Sequence, residues 1–447
     1  MNVKIILIVL CIIISKNAIA HMIEISRIYD NLLKVKEKLI ESLDPRIFLI
    51  LFIGIFLRSF SFVFSHPIPD TYQYIEAARD ILRFNYTSFR PPAFPLYLTL
   101  FLLIFQDGLI AVKAACLTAS ILLILGSYLV FKKAAFKILE NEKNAKYVGL
   151  LVSFLISINF FFVINNGRGL REDIISLCLV LLFYFIFIAS KKGYVLNHMA
   201  IIILLSFLTL VHPTTGLFFY LAFLVFYLIM IFFKLSHNIS KLEFVVISVT
   251  FVSSYLFWLI FCFFKFGDPF ITMAFQNAWF SEAVNLDFLS LEGMLTSIFR
   301  GIVYGIPTEI RILFLHISII MTISFFLSLY YFRSNVQIKY LAVLIGINLL
   351  YLSIFVAAFA NVRYFMYFFP FFFYGGCVFL IKMLSKYKEK GIHFTIKSKR
   401  HSLKPKVLFG IYLTFLSIIQ ITLVFIGLYI CYFNLDKGTG ILLLLFI

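Results

Sequence analysis

The stretch between residues 58 and 95 gathers side chains that could do chemistry in a chain of which only 13% is charged. Asp70 follows Pro69, and a carboxylate there could accept a proton from a hydroxyl group or hold a metal ion. Arg90 precedes two prolines, which disfavour helix and fix the backbone. A guanidinium held in this way suits a phosphate, because it can make two parallel hydrogen bonds to it.

Each of these residues also has a structural interpretation. Asp70, with Gln73 three residues later, has the spacing of a capping box, which would satisfy free backbone N–H groups at a helix start. Arg90 could be an ordinary interfacial anchor. Arg58 lies inside an apolar segment, roughly 10 Å from its outer end, where a cation snorkels or faces a partner. An ion pair with an acid of loop 65–93 is as consistent with this position as contact with a substrate.

A second polar stretch, NNGRGLREDIIS, starts the helix predicted after residue 173 and contains Arg168, Arg171, Glu172 and Asp173. Acids in a first helical turn are stabilised by the helix dipole, which is one explanation for Glu172 and Asp173. Two arginines beside two acids also resemble a site for an anion with a hydroxyl group or a metal ion. His212, in the short turn VHPTTG, is either structural or in contact with a lipid phosphate.

Three further candidates lie elsewhere. Arg363 and Tyr364 open the very aromatic stretch NVRYFMYFFPFFF, in which Arg363 is the only charge of its turn. Tyr364 fits the aromatic belt of a membrane interface. Glu76 lies on the helix predicted after Asp70, where it either pairs with charges three or four residues away or belongs to a solvated face. The apolar stripe predicted for that helix consists of Tyr74, Ala77, Ile81 and Leu82.

The composition of the 447 residues places the whole chain in the polytopic membrane class. Hydrophobic residues make up 62% of it and the mean hydropathy is +1.03, with many apolar runs near 20 residues. We therefore expect an all-α bundle in contact with membrane lipids. The net charge of +18 does not indicate a nucleic-acid partner, because the basic residues lie mostly in short loops and mark orientation instead. The cysteines are scattered singly and indicate no redox site.

The apolar runs predict eleven spans, at 46–64, 109–131, 147–163, 174–189, 196–211, 214–233, 242–264, 312–332, 340–360, 364–381 and 407–433. The Pro-rich segment RPPAFPLYLTLFLLIF decides their orientation. If it does not cross, one side of the membrane receives 20 Lys and Arg residues and the other side, after Pro92, receives 8. The positive-inside rule thus predicts a re-entrant or surface-lying segment, a cytoplasmic N-terminus and an external C-terminus in the cell membrane.

Three parts follow from this topology. Residues 1–45 hold an apolar run and an amphipathic helix on the cytoplasmic surface. The apolar run is cleaved, lies upstream of a true start at Met22, or lies at the membrane interface. Residues 46–381 form the transmembrane module, with external loops 65–108, 164–173 and 265–311. Residues 382–447 form a basic cytoplasmic loop and a last transmembrane helix. The candidate residues then converge on the outer side, where the first external loop is helical and juxtamembrane.

At these residues the chain resembles the GT-C superfamily of polyprenyl-phosphate-sugar glycosyltransferases, nearest the protein O-mannosyltransferase and aminoarabinose transferase branch. The resemblance covers roughly residues 46–380. It rests on Pro69-Asp70 with Tyr74 four residues after the acid, on RPPAFPLYL, GRGLRED and HPTTG, and on RYFMYFFP late in the chain. Many relatives have Asp-Glu where this chain has Asp70-Thr71, and often a lysine where it has His212.

The resemblance implies a bundle of about eleven transmembrane helices that transfers a sugar, with inversion, from a polyprenyl phosphate to an acceptor hydroxyl on the outer face. Asp70 would act on the acceptor, and Glu172 or Asp173 would be the second acid. The donor phosphate would be bound by Arg90, Arg168, Arg171, His212 and Arg363. Arg58, Glu76 and Tyr364 would support the structure or position the substrate.

Several alternatives stay open. A divalent metal ion at Asp70 with Glu172 or Asp173 is one, and the acceptor could be a protein, a lipid or a glycan. The main competing function is a transporter or flippase, which predicts ionisable residues near span centres, broken helices and paired repeats. A non-catalytic scaffold is the third, and it predicts that Asp70→Asn has no effect on function.

Overall fold

The computed structural model describes residues 43–189, 194–233, 239–269, 313–355, 366–386, 392–396, 399–403 and 405–432, with a few isolated positions between 271 and 311. Helical structure lies at all eleven predicted spans. The first helices, in chain order, are α1 Arg46–Phe64, α2 Pro69–Leu82, α3 Ala93–Phe105, α4 Gly108–Leu139, α5 Glu142–Ile158, α6 Phe160–Gly167 and α7 Glu172–Phe187. The later ones are α8 Tyr194–Val211, α9 Pro213–Phe232, α10 Lys241–Phe266, a π-helix Leu313–Ser318, α11 Ile319–Tyr331, α12 Val336–Phe355, a 3₁₀ turn Met366–Phe368, α13 Phe369–Lys386 and α14 Pro405–Tyr432.

The lengths of these helices show a multi-pass membrane protein, as the composition predicts. Within the described residues, six helices are individually long and apolar enough to cross a bilayer, namely Arg46–Phe64, Gly108–Leu139, Pro213–Phe232, Lys241–Phe266, Met366–Lys386 and Pro405–Tyr429. The Pro-rich helix α3 has 13 residues, which is about 20 Å against a hydrocarbon core of about 30 Å. Its length favours the prediction that it does not cross. The orientation of the termini stays a prediction.

A bend of 49° separates α5 from α6. Only the two helices together are long and apolar enough to cross a bilayer. Asn159 lies at the break with an extended backbone, and its side chain accepts hydrogen bonds from the N–H groups of Phe161 and Phe162. Asn is among the best residues at a helix start because it satisfies such donors. One predicted span, 147–163, is therefore two helices, and the sequence signal for the break is Asn159.

Aromatic rings join four helices in the half of the bundle where α4 ends. Phe131 stacks on Tyr374 with ring centres 4.7 Å apart, and Phe183 meets the same tyrosine at 6.2 Å. Phe187 of α7 lies 4.4 Å from Tyr340 of α12. Such ring pairs each contribute about 0.5–1.5 kcal/mol beyond the area they bury. They fix the end of α4 against α7, α12 and α13.

Helix α2 forms as the apolar stripe predicts, with a small difference at its end. Tyr74 and Ala77 are buried, together with Ile75 and Ala78, whereas Leu82 is exposed. The loop after α2 folds back on it, because the Asp80 carboxylate accepts hydrogen bonds from the N–H and the hydroxyl of Thr87. This return brings Arg90 back beside the start of α2.

The remaining parts of the chain are described only in places. Before α1, the Asp44 carboxylate accepts hydrogen bonds from the Arg46 backbone N–H and guanidinium at 2.8 Å. Within the predicted basic loop 382–406, strands β1 Ile392–Ile396 and β2 Lys399–Leu403 form an antiparallel hairpin. The predicted N-terminal helix, most of loop 265–311, Arg363 and Tyr364 lie outside the described residues. The predicted division into three parts stays a prediction.

Candidate active site

Asp70 lies in the first turn of α2, at its second residue and not at the N-cap position. The residue before the helix is Ile68, and Asp70 instead accepts a hydrogen bond from Arg90 Nη2 at 2.5 Å, forming an ion pair. The capping-box interpretation of Asp70 and Gln73 is therefore wrong. The helix starts at Pro69, two residues too early for Asp70 to be its N-cap. Side-chain exposures of 23% for Asp70 and 16% for Arg90 leave this ion pair open to a ligand.

Arg90 is held from several sides. Its Nε donates to Gln73 Oε1 at 2.9 Å, and its guanidinium lies 5.6 Å from the centre of the Tyr74 ring. The Tyr86 hydroxyl donates to the Arg90 carbonyl oxygen. Burial raises the pKa of Tyr86 above its ordinary value, so this hydroxyl stays protonated as a donor. The guanidinium is thus positioned before any ligand arrives.

A second guanidinium reaches the same tyrosine ring. The Cζ atom of Arg171 lies 5.5 Å from the centre of the Tyr74 ring, and its Nη1 donates to the Val211 carbonyl oxygen at 2.6 Å. Cations are attracted to the faces of aromatic rings. Tyr74 thereby connects the first external loop with the turn before α7, as the predicted convergence requires.

The turn that carries Arg171 is fixed to α2 through its backbone. Thr71 Oγ1 donates to the Arg168 carbonyl oxygen at 2.6 Å. Gly169 has φ +77°, and a Cβ atom there would lie 2.9 Å from Thr71 Cγ2, so both its conformation and its close approach require glycine. The described contact of Arg168 with α2 is thus made by its backbone, and the proposed role of its side chain at the donor phosphate stays a prediction.

Arg58 is fully buried and makes structural contacts. Its Nη1 donates to the carbonyl oxygens of Gly54 and Ser157, and its Nη2 to that of Ile156 at 3.2 Å. Ser157 and Ile156 lie in the last turn of α5, whose carbonyl groups have no partner within the helix. The charged group that interacts with Arg58 through space is the Asp173 carboxylate. The alternative of an ion pair with an acid of loop 65–93 is therefore wrong, because the side chain points into the bundle.

Glu172 and Asp173 are both buried, with exposures of 1% and 2%. Asp173 Oδ2 accepts from Asn166 Nδ2 at 2.6 Å, and Ser120 and Arg58 also lie close to this carboxylate. Asn166 donates in addition to the Cys116 carbonyl oxygen. The hydrogen bond to Oδ2 links α7 to α6, whereas Asp173 Oδ1 has no hydrogen-bond partner among the described residues. The catalytic assignment of Glu172 and Asp173 stays a prediction, and the bond to Asn166 is a structural contact of Asp173.

His212 caps the start of α9. Its Nδ1 accepts a hydrogen bond from the Thr215 backbone N–H at 3.1 Å and lies 3.0 Å from the Thr215 hydroxyl. The ring also lies 5.9 Å from that of Tyr367, in an edge-on arrangement. These contacts support a structural role for His212. Its role at a donor phosphate stays a prediction, as does a positioning role for Glu76, which is exposed on α2.

Sequence reasoning gave no functional role to three residues of this arrangement. Gln73 and Tyr86 hold Arg90, and the Tyr74 ring is near the guanidiniums of both arginines. Tyr74 had the signal of an apolar stripe and its place in the motif four residues after Asp70, neither of which gave it a role, and Gln73 had only the signal of a helix cap. Their contacts depend on the return of the loop after α2, which no local pattern encodes.

Divalent-metal binding at Asp70 stays a prediction. In the structure the Asp70 carboxylate is paired with Arg90 at 2.5 Å, and the guanidinium of Arg171 lies 5.5 Å from the centre of the Tyr74 ring. Throughout the described residues, no three His, Cys, Asp or Glu side chains converge in a way that could hold a metal. The predicted partners of Asp70 at a metal, Glu172 or Asp173, are buried.

The sequence matches no family model and no curated protein. Among solved structures, the chain is similar to the crystal structure of ArnT from Cupriavidus metallidurans bound to undecaprenyl phosphate. The alignment covers 90% of this chain and 74% of that one, with 13% identity and a TM-score of 0.49. A likeness this distant identifies neither a family nor an activity for this chain.

Proposed function

We propose that this protein is a membrane glycosyltransferase that moves a sugar from a polyprenyl-phosphate donor to an acceptor hydroxyl group at the outer membrane face, with inversion. The observation that carries the proposal is the arrangement of one partly exposed carboxylate and two guanidiniums around Tyr74. The motifs around Asp70, Arg90 and GRGLRED support the same reaction class independently of the geometry.

The chemistry of such a transfer needs the two kinds of group found here. The acceptor oxygen attacks the anomeric carbon while the bond between that carbon and the phosphate oxygen breaks. The electron pair of the broken bond stays on the phosphate, which gains a negative charge, and the acceptor proton moves to the Asp70 carboxylate. Arg90, with Arg171 near the same Tyr74 ring, stabilises the charge that develops on the phosphate.

The ion pair between Asp70 and Arg90 implies that the donor binds before Asp70 acts as a base. In the structure the guanidinium donates to the carboxylate at 2.5 Å and so occupies one of its oxygens. A donor phosphate competes for the same guanidinium, since arginine binds phosphate and carboxylate by the same fork of N–H groups. Donor binding thereby releases Asp70 to act as the base.

The test is transfer from radiolabelled polyprenyl-phosphate sugars by membranes containing the wild type, Asp70→Asn or Asp107→Asn. Asp107 is an exposed acid at the same end of the bundle that caps α4 through the N–H groups of Leu109 and Ile110. Asparagine caps equally well, so this variant removes a nearby charge and leaves the fold intact. The proposal requires loss of transfer in Asp70→Asn alone, and equal transfer by all three proteins would refute it.

A transporter or flippase is the second candidate, because the broken pair α5 and α6 and the buried Arg58 and Asp173 are features of that class. In this chain, however, Arg58 fills the break by donating to the carbonyl oxygens of Ser157 and Ile156. Translocation of a labelled lipid-linked sugar across proteoliposomes containing the purified protein, in the absence of an acceptor, would favour the second candidate.

A further inference from the structure

A cavity of about 440 Å³ lies at the far end of α4 from Asp70, and it is lined by Lys132, Lys133, Phe136, Lys137, Glu142, Ala145 and Ile188. Helix α4 contacts α2 at Gly108, where a Cβ atom would approach Ile75 and Arg79. The lysines lie about 25 residues further along, which is roughly 37 Å at 1.5 Å per residue. The cavity therefore belongs to the opposite membrane face from the candidate active site.

Three lysines against one glutamate make the lining basic. Lys133 and Lys137 lie one turn apart on α4, so their side chains share a face with the cavity. Both are anchored: Lys133 Nζ is 3.0 Å from the Tyr184 hydroxyl, and Lys137 Nζ donates to the carbonyl oxygens of Phe187 and Ile188. An ammonium group has three N–H donors. These contacts hold the two lysines at the cavity without exhausting their donors.

The cavity is also apolar on one side. Phe136, half exposed, and the buried Ala145 contribute to its lining next to the lysines. A site for a small soluble anion would not need this apolar part, whereas a lipid presents a phosphate and an acyl chain together. The predicted cytoplasmic location matters too, because anionic lipids concentrate in that leaflet and basic pockets between transmembrane helices bind their head groups.

We propose that this cavity binds the phosphate group of an anionic membrane lipid at the cytoplasmic face. Lys132 and Lys133 contact the phosphate, Lys137 fixes the wall formed by the end of α7, and Phe136 lies against the acyl chain. The occupied cavity ties α4, α5 and α7 together at the end opposite the acid and arginines of the candidate active site.

The experiment is thermal unfolding of the purified full-length chain in phosphatidylcholine micelles titrated with phosphatidylglycerol, since a ligand that binds the folded state raises the melting temperature. We compare the wild type with Lys132→Gln/Lys133→Gln. Each basic residue near a membrane surface contributes about a fivefold gain in affinity. The double variant is therefore expected to bind phosphatidylglycerol roughly 30-fold more weakly.

The matched control is Lys143→Gln/Lys146→Gln, which removes the same charge from the same predicted cytoplasmic connection without touching the cavity lining. An equal loss in this control would show attraction by the surface as a whole and overturn the proposal. Lys132→Arg/Lys133→Arg, which keeps the charges, should retain binding, and a loss there as large as in the glutamine variant would also overturn it. A second arm titrates inorganic phosphate, and saturation by phosphate at the same concentration as lipid would contradict a lipid ligand.

Discussion

Two regions of the bundle each combine an arginine with an aspartate, and they differ in what the arginine does. Arg90 makes an ion pair with Asp70 at 2.5 Å, and both side chains are partly exposed. Arg58 is fully buried, donates to backbone carbonyl groups of α1 and α5, and only faces Asp173 through space. In the first region a ligand can replace Asp70 as the partner of Arg90. In the second, the carbonyl groups at the end of α5 would lose their donors if Arg58 moved.

The difference shows why charge in a membrane protein does not by itself mark a reactive site. Burying an ion is expensive unless its hydrogen bonds are satisfied. Arg58 offsets part of this cost by donating from Nη1 and Nη2 to backbone carbonyl groups, most of them at a helix break, whereas its Nε has no hydrogen-bond partner among the described residues. Arg90 is held by neutral partners, Gln73, Tyr74 and Tyr86, around an acid that a ligand can displace. Exposure and the replaceable partner distinguish the candidate active site from the buried network.

The largest effect is expected for Asp70→Asn, which should reduce sugar transfer about 10²- to 10⁴-fold, the usual contribution of a general base. The melting temperature in detergent should stay close to that of the wild type, because the side chain is partly exposed and asparagine keeps its shape. Initial transfer rates and thermal unfolding measured on the same preparation check both parts. Unchanged transfer would remove Asp70 from the reaction.

Arg58→Met should act on stability instead. Removing one partner from a buried network costs about 3–5 kcal/mol, because the carbonyl groups at the end of α5 lose their donors and Asp173 loses a nearby cation. Thermal unfolding of the purified protein should show a clear drop in melting temperature. Transfer per folded molecule should be retained below the melting transition, and its selective loss would move Arg58 into the active site.

Arg90→Lys keeps the charge but loses the planar fork of donors. Hydrogen bonds to charged groups contribute about 1.5–3 kcal/mol, so transfer should fall about 10- to 100-fold, with a higher KM for the lipid donor. The control is Arg83→Lys, an exposed residue at the end of α2. Equal kinetics for the two variants would mean that Arg90 contributes only as a diffuse charge.

Thr71→Val tests the smallest element of the comparison, the contact between α2 and the turn that carries Arg171. The lost hydrogen bond to the Arg168 carbonyl oxygen should cost about 1 kcal/mol of stability. Thr87→Val, at an exposed hydrogen bond to Asp80, should cost less. Thermal unfolding of both variants gives the order, and a reversed order would show that the turn is held by other contacts.

The sequence was informative where local rules apply. Hydrophobic runs predicted helical structure at each span. The short apolar run of the Pro-rich segment predicted that its helix, α3, is too short to cross the membrane. It was uninformative where the chain folds back on itself. Nothing near Arg58 in the sequence indicates Ser157 as its acceptor, and nothing near Asp70 distinguishes it from Asp173, since both follow a turn and start a helix. Burial separates them, and burial depends on the packing of α4 and α6 against the start of α7.

The most direct test compares Asp70→Asn and Asp173→Asn in one experiment that measures transfer from a polyprenyl-phosphate sugar per folded molecule. The partly exposed Asp70 should be needed for transfer and not for folding. The buried Asp173 should be needed for folding, so its variant melts at a lower temperature but transfers normally while folded. Normal transfer by Asp70→Asn together with inactive but fully stable Asp173→Asn would contradict the account.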